Sequence, residues 1–290
     1  MTQKCLDIHW SLGNDCNFNC NYCSWELKDG SNPFPSKEKL IPAYDHLIDQ
    51  CGDFSFIKID LSGGEVTQST ALQHILEQNQ DSRIKFKIQS NASAHVYWWR
   101  AVINHLYELE LSYHASSSFD HFFEVVKAVS EHIRPTIHIP LTPETWEVQC
   151  IAYNKLKVFG YNVNLQLLYS NYTKGNSKYY EYSKEQWDYY YRERGIDPDD
   201  KPVVEQTIEF KRSHDLNNYY GHMCWAGVEQ FVIDNFGNVW RGWCQSDGIL
   251  GNIYDKTFLL NKQPMPCPKR QCRNGFDLLA RKSKGSWGFA

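Results

Sequence analysis

Three cysteines stand close together near the amino terminus of this 290-residue chain: Cys16, Cys20 and Cys23, in the stretch GNDCNFNCNYCSW. Thiolates at such short spacing can converge on a metal ion or an iron-sulfur cluster, for which soft sulfur ligands are suited. A competing interpretation is a buried stripe, since positions i, i+4 and i+7 share one face of an α-helix. The intervening residues are rich in Asn and preceded by Asn and Asp, which favour turns. We therefore expect a ligand-bearing loop.

A second group of cysteines lies in the last quarter of the chain, at Cys224, Cys244, Cys267 and Cys272. Between the first two, the sequence FVIDNFGNVW has two apolar runs on either side of an Asn-Phe-Gly-Asn turn, which predicts a β-hairpin. Four cysteines this close suit either a four-thiolate zinc site or an iron-sulfur cluster. Spacing alone does not separate the two.

Composition narrows the class of protein. A formal net charge of -4, with no clustered run of Lys and Arg, leaves no basic surface for nucleic acid. No apolar stretch is long enough for a membrane span, and the first ten residues lack the apolar core of a signal peptide. We therefore expect a cytoplasmic protein without a membrane partner. In that reducing compartment, ten cysteines indicate metal binding or catalysis rather than disulfides.

Six short segments repeat the alternation of apolar residues that is typical of β-strands. Their apolar members are Leu6/Ile8/Trp10, Ile57/Ile59/Leu61, Ile84/Phe86/Ile88, Leu109/Leu111/Tyr113, Ile137/Ile139/Leu141 and Val163/Leu165/Leu167. Helices are predicted between them, at residues 36–50, 66–78, 94–108, 120–132 and 143–159. Alternating strands and helices predict an α/β fold with a parallel sheet and right-handed crossovers.

The second face of these strands is polar, whereas parallel strands are usually buried on both faces. Its members are Asp7, His9, Lys58, Asp60, Lys85, Lys87, Gln89, Ser112, His114, Thr136, His138, Asn164 and Gln166. So many polar groups cannot be buried without partners, which predicts a curved sheet with helices outside and a wet, ligand-filled concave side. The alternative is that some strands lie at a sheet edge with these groups in solvent.

Ligands in such sheets bind beyond the carboxyl ends of the strands. The three-cysteine loop follows the first strand. Gly63, Gly64 and Glu65 follow the second strand, where glycines permit close backbone approach and Glu65 adds a carboxylate. Gly-Gly-Glu by itself is typical of a turn before a helix. Its position at the same sheet edge as three cysteines favours a ligand site.

Together these residues resemble the radical S-adenosylmethionine (radical SAM) superfamily, whose CxxxCxxC signature matches Cys16, Cys20 and Cys23. The resemblance covers about residues 5–170 and implies a partial (β/α)6 barrel. It also implies a [4Fe-4S] cluster held by the three thiolates, with the fourth iron left for the methionyl amine and carboxylate of SAM. A flavodoxin- or ferredoxin-type electron donor is implied as a partner.

The resemblance also implies which residues contact SAM. Gly63, Gly64 and Glu65 match the residues that bind the methionyl amine, and Tyr22, before the last cysteine, matches a neighbour of the adenine. The other candidates are placed by strand position alone. Those near the ribose and carboxylate are Ser90, Asn91, Ser112 and His114, and those near the adenine are Gln166 and Leu167.

The C-terminal cysteines resemble the auxiliary-cluster extension called SPASM, or its shortened form, twitch. The resemblance rests on Cys-x-Ala-Gly from Cys224, the Asp-Asn-Phe-Gly-Asn hairpin, and LGNIYD at 250–255. It implies a second [4Fe-4S] cluster held by Cys224, Cys244, Cys267 and Cys272. Six residues separate Gly237 from Cys244 where four are usual, and the last pair is CxxxxC. Structural zinc, or one ligand that is not cysteine, therefore stays open.

The chain is predicted to divide into a radical SAM core at 1–170, an aromatic-rich segment that completes the core at 171–222, and a twitch-like domain at 223–290. The aromatic side chains have two interpretations, since they suit stacking on a substrate but their helical spacing is typical of packing.

The implied reaction is reductive cleavage of SAM to a 5′-deoxyadenosyl radical, which abstracts hydrogen from an unactivated carbon. We expect the substrate on the polar face, with Lys87, His138 and Cys150 as candidate catalytic residues; Cys150 would return hydrogen in an epimerisation. A ribosomal peptide undergoing oxidation, cross-linking or epimerisation is favoured, and a sugar or aminocyclitol is the alternative. The alternative that is not an enzyme is an iron-sulfur electron carrier. The Gly-Gly-Glu turn and the open iron argue against it, because an electron carrier needs neither.

Overall fold

The computed structural model describes residues 4–170, 178–207, 210, 218–272 and 274–283. Strands and helices alternate along its first part. The strands are β1 (Cys5–Ser11), β2 (Phe56–Ser62), β3 (Ile84–Ser90), β4 (Leu106–Ser112), β5 (Thr136–Leu141) and β6 (Asn162–Leu167). The helices are α1 (Lys37–Gln50), α2 (Leu72–Gln78), α3 (Val96–Val102), α4 (Phe119–Ser130) and α5 (Trp146–Val158). Each strand pairs in parallel with the next, which confirms the predicted α/β partial barrel.

Shorter elements follow in the described C-terminal part. They are α6 (Lys184–Glu193), α7 (Lys201–Gln206), β7 (Met223–Cys224), β8 (Gln230–Ile233), β9 (Asn238–Trp240), β10 (Ile249–Asn252), β11 (Met265–Pro266), α8 (Gly275–Leu279) and β12 (Lys282–Ser283). The predicted hairpin consists of β8 and β9, which pair antiparallel. Strands β11, β7 and β12 form a separate small sheet in that order.

The hairpin belongs to the barrel sheet. Strand β8 pairs in parallel with β1, so the large sheet has the order β10-β9-β8-β1-β2-β3-β4-β5-β6. All four residues of β8 are buried, as expected for a strand with neighbours on both sides and covered faces. The hairpin falls in the segment 223–290 that is predicted to be twitch-like, and in the structure its strand β8 continues the sheet of the barrel. The aromatic-rich segment lies partly outside the described residues, at 171–177, 208–209 and 211–217.

The apolar residues of the parallel strands form the core between sheet and helices. Ile8, Ile59, Ile88 and Ile137 are fully buried, and burying a side chain of this size contributes about 1.5–3 kcal/mol. Their apolar faces are covered by the helices of the βα units, for example by Leu47 of α1. The alternate residues of the strands are left to the opposite, polar face.

Two predicted helices have different bounds from those expected. The helix predicted at 94–108 ends at Val102, and β4 already begins at Leu106. The sequence does not indicate this boundary, because no Gly or Pro lies between the two elements. The helix predicted at 66–78 is a 3-10 turn at Val66–Gln68 followed by α2. It breaks at Ser69, whose backbone is extended.

The aromatic residues of α6 pack on one another. The ring of Trp187 lies 5.9 Å from that of Tyr182 and 5.6 Å from that of Tyr191. The Tyr182 hydroxyl donates a hydrogen bond of 2.6 Å to the Leu141 carbonyl at the end of β5. For these residues the packing interpretation is therefore correct. Among the helices of the described ranges, none is long and apolar enough to cross a bilayer.

Candidate functional site

The cysteine loop follows β1 and is closed by a buried asparagine. Asn14 is 2% exposed, and its amide donates to the Glu26 carbonyl (2.9 Å) and the Asp29 carboxylate (2.6 Å). Its side-chain oxygen accepts from the Asn32 backbone amide (2.8 Å). Cys16, Cys20 and Cys23 lie within this closed loop, half-buried and outside any helix. The stripe interpretation of these cysteines is therefore excluded.

Hydrogen bonds attach the cysteine loop to the carboxyl ends of β3 and β5. Asn17 donates to the Ser93 hydroxyl (2.8 Å) and accepts from the Asn91 amide (3.0 Å), both just after β3. Asn21 donates to the Glu144 carboxylate (3.0 Å), which follows β5. The loop thus lies across the sheet edge at which ligands of α/β folds bind.

His114, just after β4, is the centre of the contacts that the loop makes there. Its Nδ1 is hydrogen-bonded to the Tyr22 hydroxyl and lies 3.6 Å from the Cys20 sulfur. Its ring stacks on Tyr22, with centroids 6.0 Å apart, and meets the edge of Phe18 at 5.7 Å. Burial lowers the pKa of His114 to about 4, so the ring is neutral at neutral pH. Two predicted SAM contacts, Tyr22 and His114, are therefore in direct contact.

The Gly-Gly-Glu turn packs against the backbone that leads into the cysteine loop. Gly64 has φ +51°, and a Cβ there would lie 2.0 Å from the Asp15 carbonyl oxygen. Gly63 has φ +102°, and its Cβ would lie 2.5 Å from the Gly13 carbonyl oxygen. The Glu65 amide donates to the Asp15 carbonyl (2.8 Å). The close packing of residues 11–15 against the turn therefore requires glycine at both positions, whether or not a ligand binds.

The Glu65 side chain connects the ends of β2 and β3. It is 1% exposed and accepts hydrogen bonds of 2.7 Å from the Ser90 hydroxyl and from the Asn91 backbone amide. A third donor is the Thr67 hydroxyl (2.7 Å). Burial raises the pKa of Glu65. The structure thus brings together Glu65, Ser90 and Asn91, which the sequence assigned separately.

The thiols of the loop fit an iron-sulfur cluster by their chemistry. Burial, with smaller contributions from the neighbouring Cys20 and Cys23, raises the pKa of Cys16 to about 11. Thiolates gathered here need positive charge beside them, which a metal centre supplies. In the described ranges, no three His, Cys, Asp or Glu side chains are grouped as ligands of one metal ion. In a four-iron cluster each thiolate binds a different iron, so the sulfurs stand further apart than the ligands of one ion.

Lys87 lies on the polar face among carboxylates from the neighbouring strands. Its Nζ is 2.5 Å from Glu110, 3.2 Å from Glu108 and 3.5 Å from Asp60, and its side chain is 9% exposed. Burial alone would lower its pKa, but the carboxylates outweigh burial and raise it. Lys87 is therefore held as a cation. This environment favours a structural role for Lys87 over the predicted catalytic one.

The other weakly assigned residues have mixed surroundings. His138 Nε2 lies 3.6 Å from Glu110, which is beyond hydrogen-bonding distance, and His138 is in register with Ser112 across β4 and β5. Cys150 packs in the helix layer of α5, where burial raises its pKa to about 11. Leu167 is a core residue of β6, and Gln166 is exposed on that edge strand. For Gln166 the edge interpretation of the polar face therefore applies.

The C-terminal cysteines come from separate segments, and Cys267 packs against a small buried cluster that contains Cys224. Burial, with smaller contributions from Cys244 and Cys224, raises the pKa of Cys272 to about 12. Burial also raises the pKa of Cys267, with a contribution from Cys224. That all four cysteines form one ligand group stays a prediction.

Two buried charged residues fix the segment that carries Cys244. The Asp277 carboxylate accepts from the backbone amides of Trp243 (2.8 Å) and Cys244 (2.7 Å) and is 4% exposed. The Arg241 guanidinium, 2% exposed, donates to the carbonyls of Ala226 (3.0 Å) and Cys224 (3.4 Å). These bonds tie the Cys244 loop to α8 and to the segment around β7.

Sequence reasoning missed some polar residues of the site. Glu108 and Glu110 alternate with Leu109 and Leu111, and this period-two signal was visible but was assigned in part to a helix. The hydrogen bond of 3.0 Å from Trp243 Nε1 to His9 Nδ1 joins residues 234 positions apart, and no local pattern indicates it.

No protein-family model matches the chain, and no curated protein matches it in sequence. Solved structures do resemble it. One is anSMEcpe with bound AdoMet, at 16% identity and a TM-score of 0.56, covering 89% of this chain and 81% of that one. Another is Streptococcus suis SuiB bound to precursor peptide SuiA, at 14% identity and a TM-score of 0.54, covering 87% of this chain and 63% of SuiB. Both are radical SAM structures. This chain therefore has the fold of the radical SAM partial barrel.

Proposed function

We propose that this protein is a radical SAM enzyme. The observation that carries the proposal is the attachment of the cysteine loop across the ends of β3 to β5, beside the Gly-Gly-Glu turn. A fold-level likeness to structures with bound AdoMet supports it. In this proposal Cys16, Cys20 and Cys23 hold a [4Fe-4S] cluster.

Such a cluster would supply one electron to the sulfonium of bound SAM, whose C5′–S bond would break to give methionine and a 5′-deoxyadenosyl radical; the radical would take a hydrogen atom from the substrate and become 5′-deoxyadenosine. The chain's own residues orient and enclose the reactants. Glu65 accepts from the Ser90 hydroxyl and the Asn91 backbone amide and so holds both residues at the methionyl end. The neutral His114 holds the Tyr22 ring in place beside the adenine position. A flavodoxin- or ferredoxin-type protein supplies the electron.

We assign Cys224, Cys244, Cys267 and Cys272 to a second, twitch-like [4Fe-4S] cluster. The packing of Cys267 against the buried cluster that contains Cys224 supports this assignment. The alternative is a structural zinc ion, which would gather all four sulfurs around a single centre. With an auxiliary cluster as electron acceptor, the favoured outcome is a net oxidation of the substrate.

The substrate that we favour is a peptide, bound on the polar face of the sheet. Support comes from structural neighbours that were solved with peptides, anSMEcpe with the Kp18Cys peptide and SuiB with SuiA. A sugar or aminocyclitol is the alternative substrate. A panel of peptides and small polyols, assayed for substrate-dependent 5′-deoxyadenosine release, distinguishes the two.

Anaerobic reconstitution followed by iron counting and a 5′-deoxyadenosine assay with dithionite tests the proposal. We expect about eight irons and SAM cleavage from the wild-type chain. The matched control replaces Cys16, Cys20 and Cys23 with Ala, and it should keep about four irons and lose SAM cleavage. Iron binding without any SAM cleavage in the wild-type chain would favour an electron carrier. Retained zinc with about four irons would overturn the second cluster.

A further inference from the structure

A hydrogen-bonded bridge joins the first strand to the segment that carries Cys244. Trp243 Nε1 donates to His9 Nδ1 (3.0 Å), and an indole nitrogen can only donate. His9 Nδ1 is therefore the acceptor, and the proton of the neutral imidazole lies on Nε2. That nitrogen donates in turn to the Ser62 hydroxyl (2.6 Å), directly before the Gly-Gly-Glu turn.

The barrel end of this bridge is fixed. His9 lies in β1 between β2 and β8, in register with Asp60 and Val232. Its ring is also held by the edges of Trp243 and Phe276, at centroid distances of 5.3 Å and 5.5 Å. An imidazole held in this way presents Nδ1 in one direction only.

The other end is the backbone of the Cys244 segment. The Asp277 carboxylate binds the amides of Trp243 and Cys244, and a Cβ on Gly242 would lie 2.6 Å from Asp277 Oδ1. The segment is therefore packed tightly against α8 on one side, while the Trp243 indole reaches the barrel on the other. Motion of this indole would carry Cys244 with it.

We propose that Trp243, held by His9, is a positioning residue that fixes the C-terminal cysteine site relative to the Gly-Gly-Glu turn of the barrel. The chain runs 179 positions from Glu65 to Cys244, but the bridge spans this separation through Ser62, His9 and Trp243. The proposal rests on the proposed function only in one respect, that a cluster at Cys244 would be held in place by the bridge.

Trp225 offers a matched control for Trp243. Each tryptophan is a sequence neighbour of a cysteine of the C-terminal site, Cys224 or Cys244. The Trp225 ring stacks under the Arg281 guanidinium at 3.9 Å, within the C-terminal part. Trp243→Phe keeps an aromatic ring but removes the donor to His9, whereas Trp225→Phe leaves the bridge intact.

Hydrogen exchange of the full chain tests the bridge directly. We expect the amides of residues 243 and 244 to exchange at least about tenfold faster in Trp243→Phe than in Trp225→Phe, with β2 and β3 unchanged. His9→Asn, which keeps an acceptor near the position of Nδ1, should preserve protection, and His9→Leu should lose it. Equal exchange in the two tryptophan variants would overturn the proposal.

The reconstituted chain provides a spectroscopic readout that packing alone would not change. With both clusters reduced, pulsed EPR should give a broader distribution of the distance between them in Trp243→Phe than in Trp225→Phe or wild type. Identical distributions in all three would contradict the positioning role. If wild type binds a single cluster, the proposed second cluster is wrong, and the exchange comparison still decides for or against the bridge.

Discussion

Replacing Gly64 with alanine should displace the cysteine loop. The new Cβ would lie 2.0 Å from the Asp15 carbonyl oxygen, where ordinary contact begins at 3.4 Å, so Asp15 must move by more than about 1 Å. Left-handed backbone costs alanine about 1–2 kcal/mol. The Glu65–Asp15 hydrogen bond of 2.8 Å, worth about 1 kcal/mol, is lost as well. We expect a loss of about 2–3 kcal/mol in the free energy of unfolding.

The functional effect should exceed the loss of stability, because Asp15 precedes Cys16. A displacement of about 1 Å in a reacting site can cost about 100-fold in rate. Gly160→Ala is the control, since Gly160 has φ +79° and nothing within 4 Å of its Cβ position. Urea unfolding, iron counting and the 5′-deoxyadenosine assay should show loss of iron and turnover in Gly64→Ala only. Equal iron content and turnover in both variants would refute the reasoning.

Three further predictions concern stability. Lys87→Met leaves Asp60 and Glu110 without their cation. We therefore expect urea unfolding near pH 7 to show a loss of about 3–5 kcal/mol in the free energy of unfolding, and a smaller loss in acid. An equal loss near pH 7 and in acid would contradict this. Burial raises the pKa of Glu110, but His138 and Lys87 outweigh burial and lower the pKa to about 2. The ionised Glu110 therefore stabilises the fold above pH 4.5, and this stabilisation is lost as the pH falls toward 2. Urea unfolding of wild type and Glu110→Gln measures it, and a difference in stability that does not depend on pH would contradict it. Asn14→Ala opens the cysteine loop, and trypsin should cut faster after Lys28, with unchanged cutting as the contrary result.

The barrel could be predicted from the sequence because its signals are local. Period-two alternation marks each parallel strand, and the loop after β1 and the turn after β2 follow from where those strands end. The boundary between α3 and β4 was missed, since no turn residue separates them. That error placed Glu108 in a helix and so hid one of the carboxylates around Lys87.

Long-range contacts could not be predicted from local patterns. The addition of β8 beside β1 and the bridge from His9 to Trp243 each join residues more than two hundred positions apart. The hydrogen bond of Tyr22 to His114 likewise depends on the fold, although each residue was assigned to the site on its own. Folding brings such pairs together, and the periodic patterns of the sequence do not indicate which distant residues will meet.

The most direct test of the central claim is EPR spectroscopy of the reduced, reconstituted chain before and after addition of SAM. The account predicts that SAM changes the signal of a cluster that depends on Cys16, Cys20 and Cys23, and that a variant with all three replaced by Ala loses this response. A spectrum that does not change with SAM, or a response that persists in that variant, would contradict it.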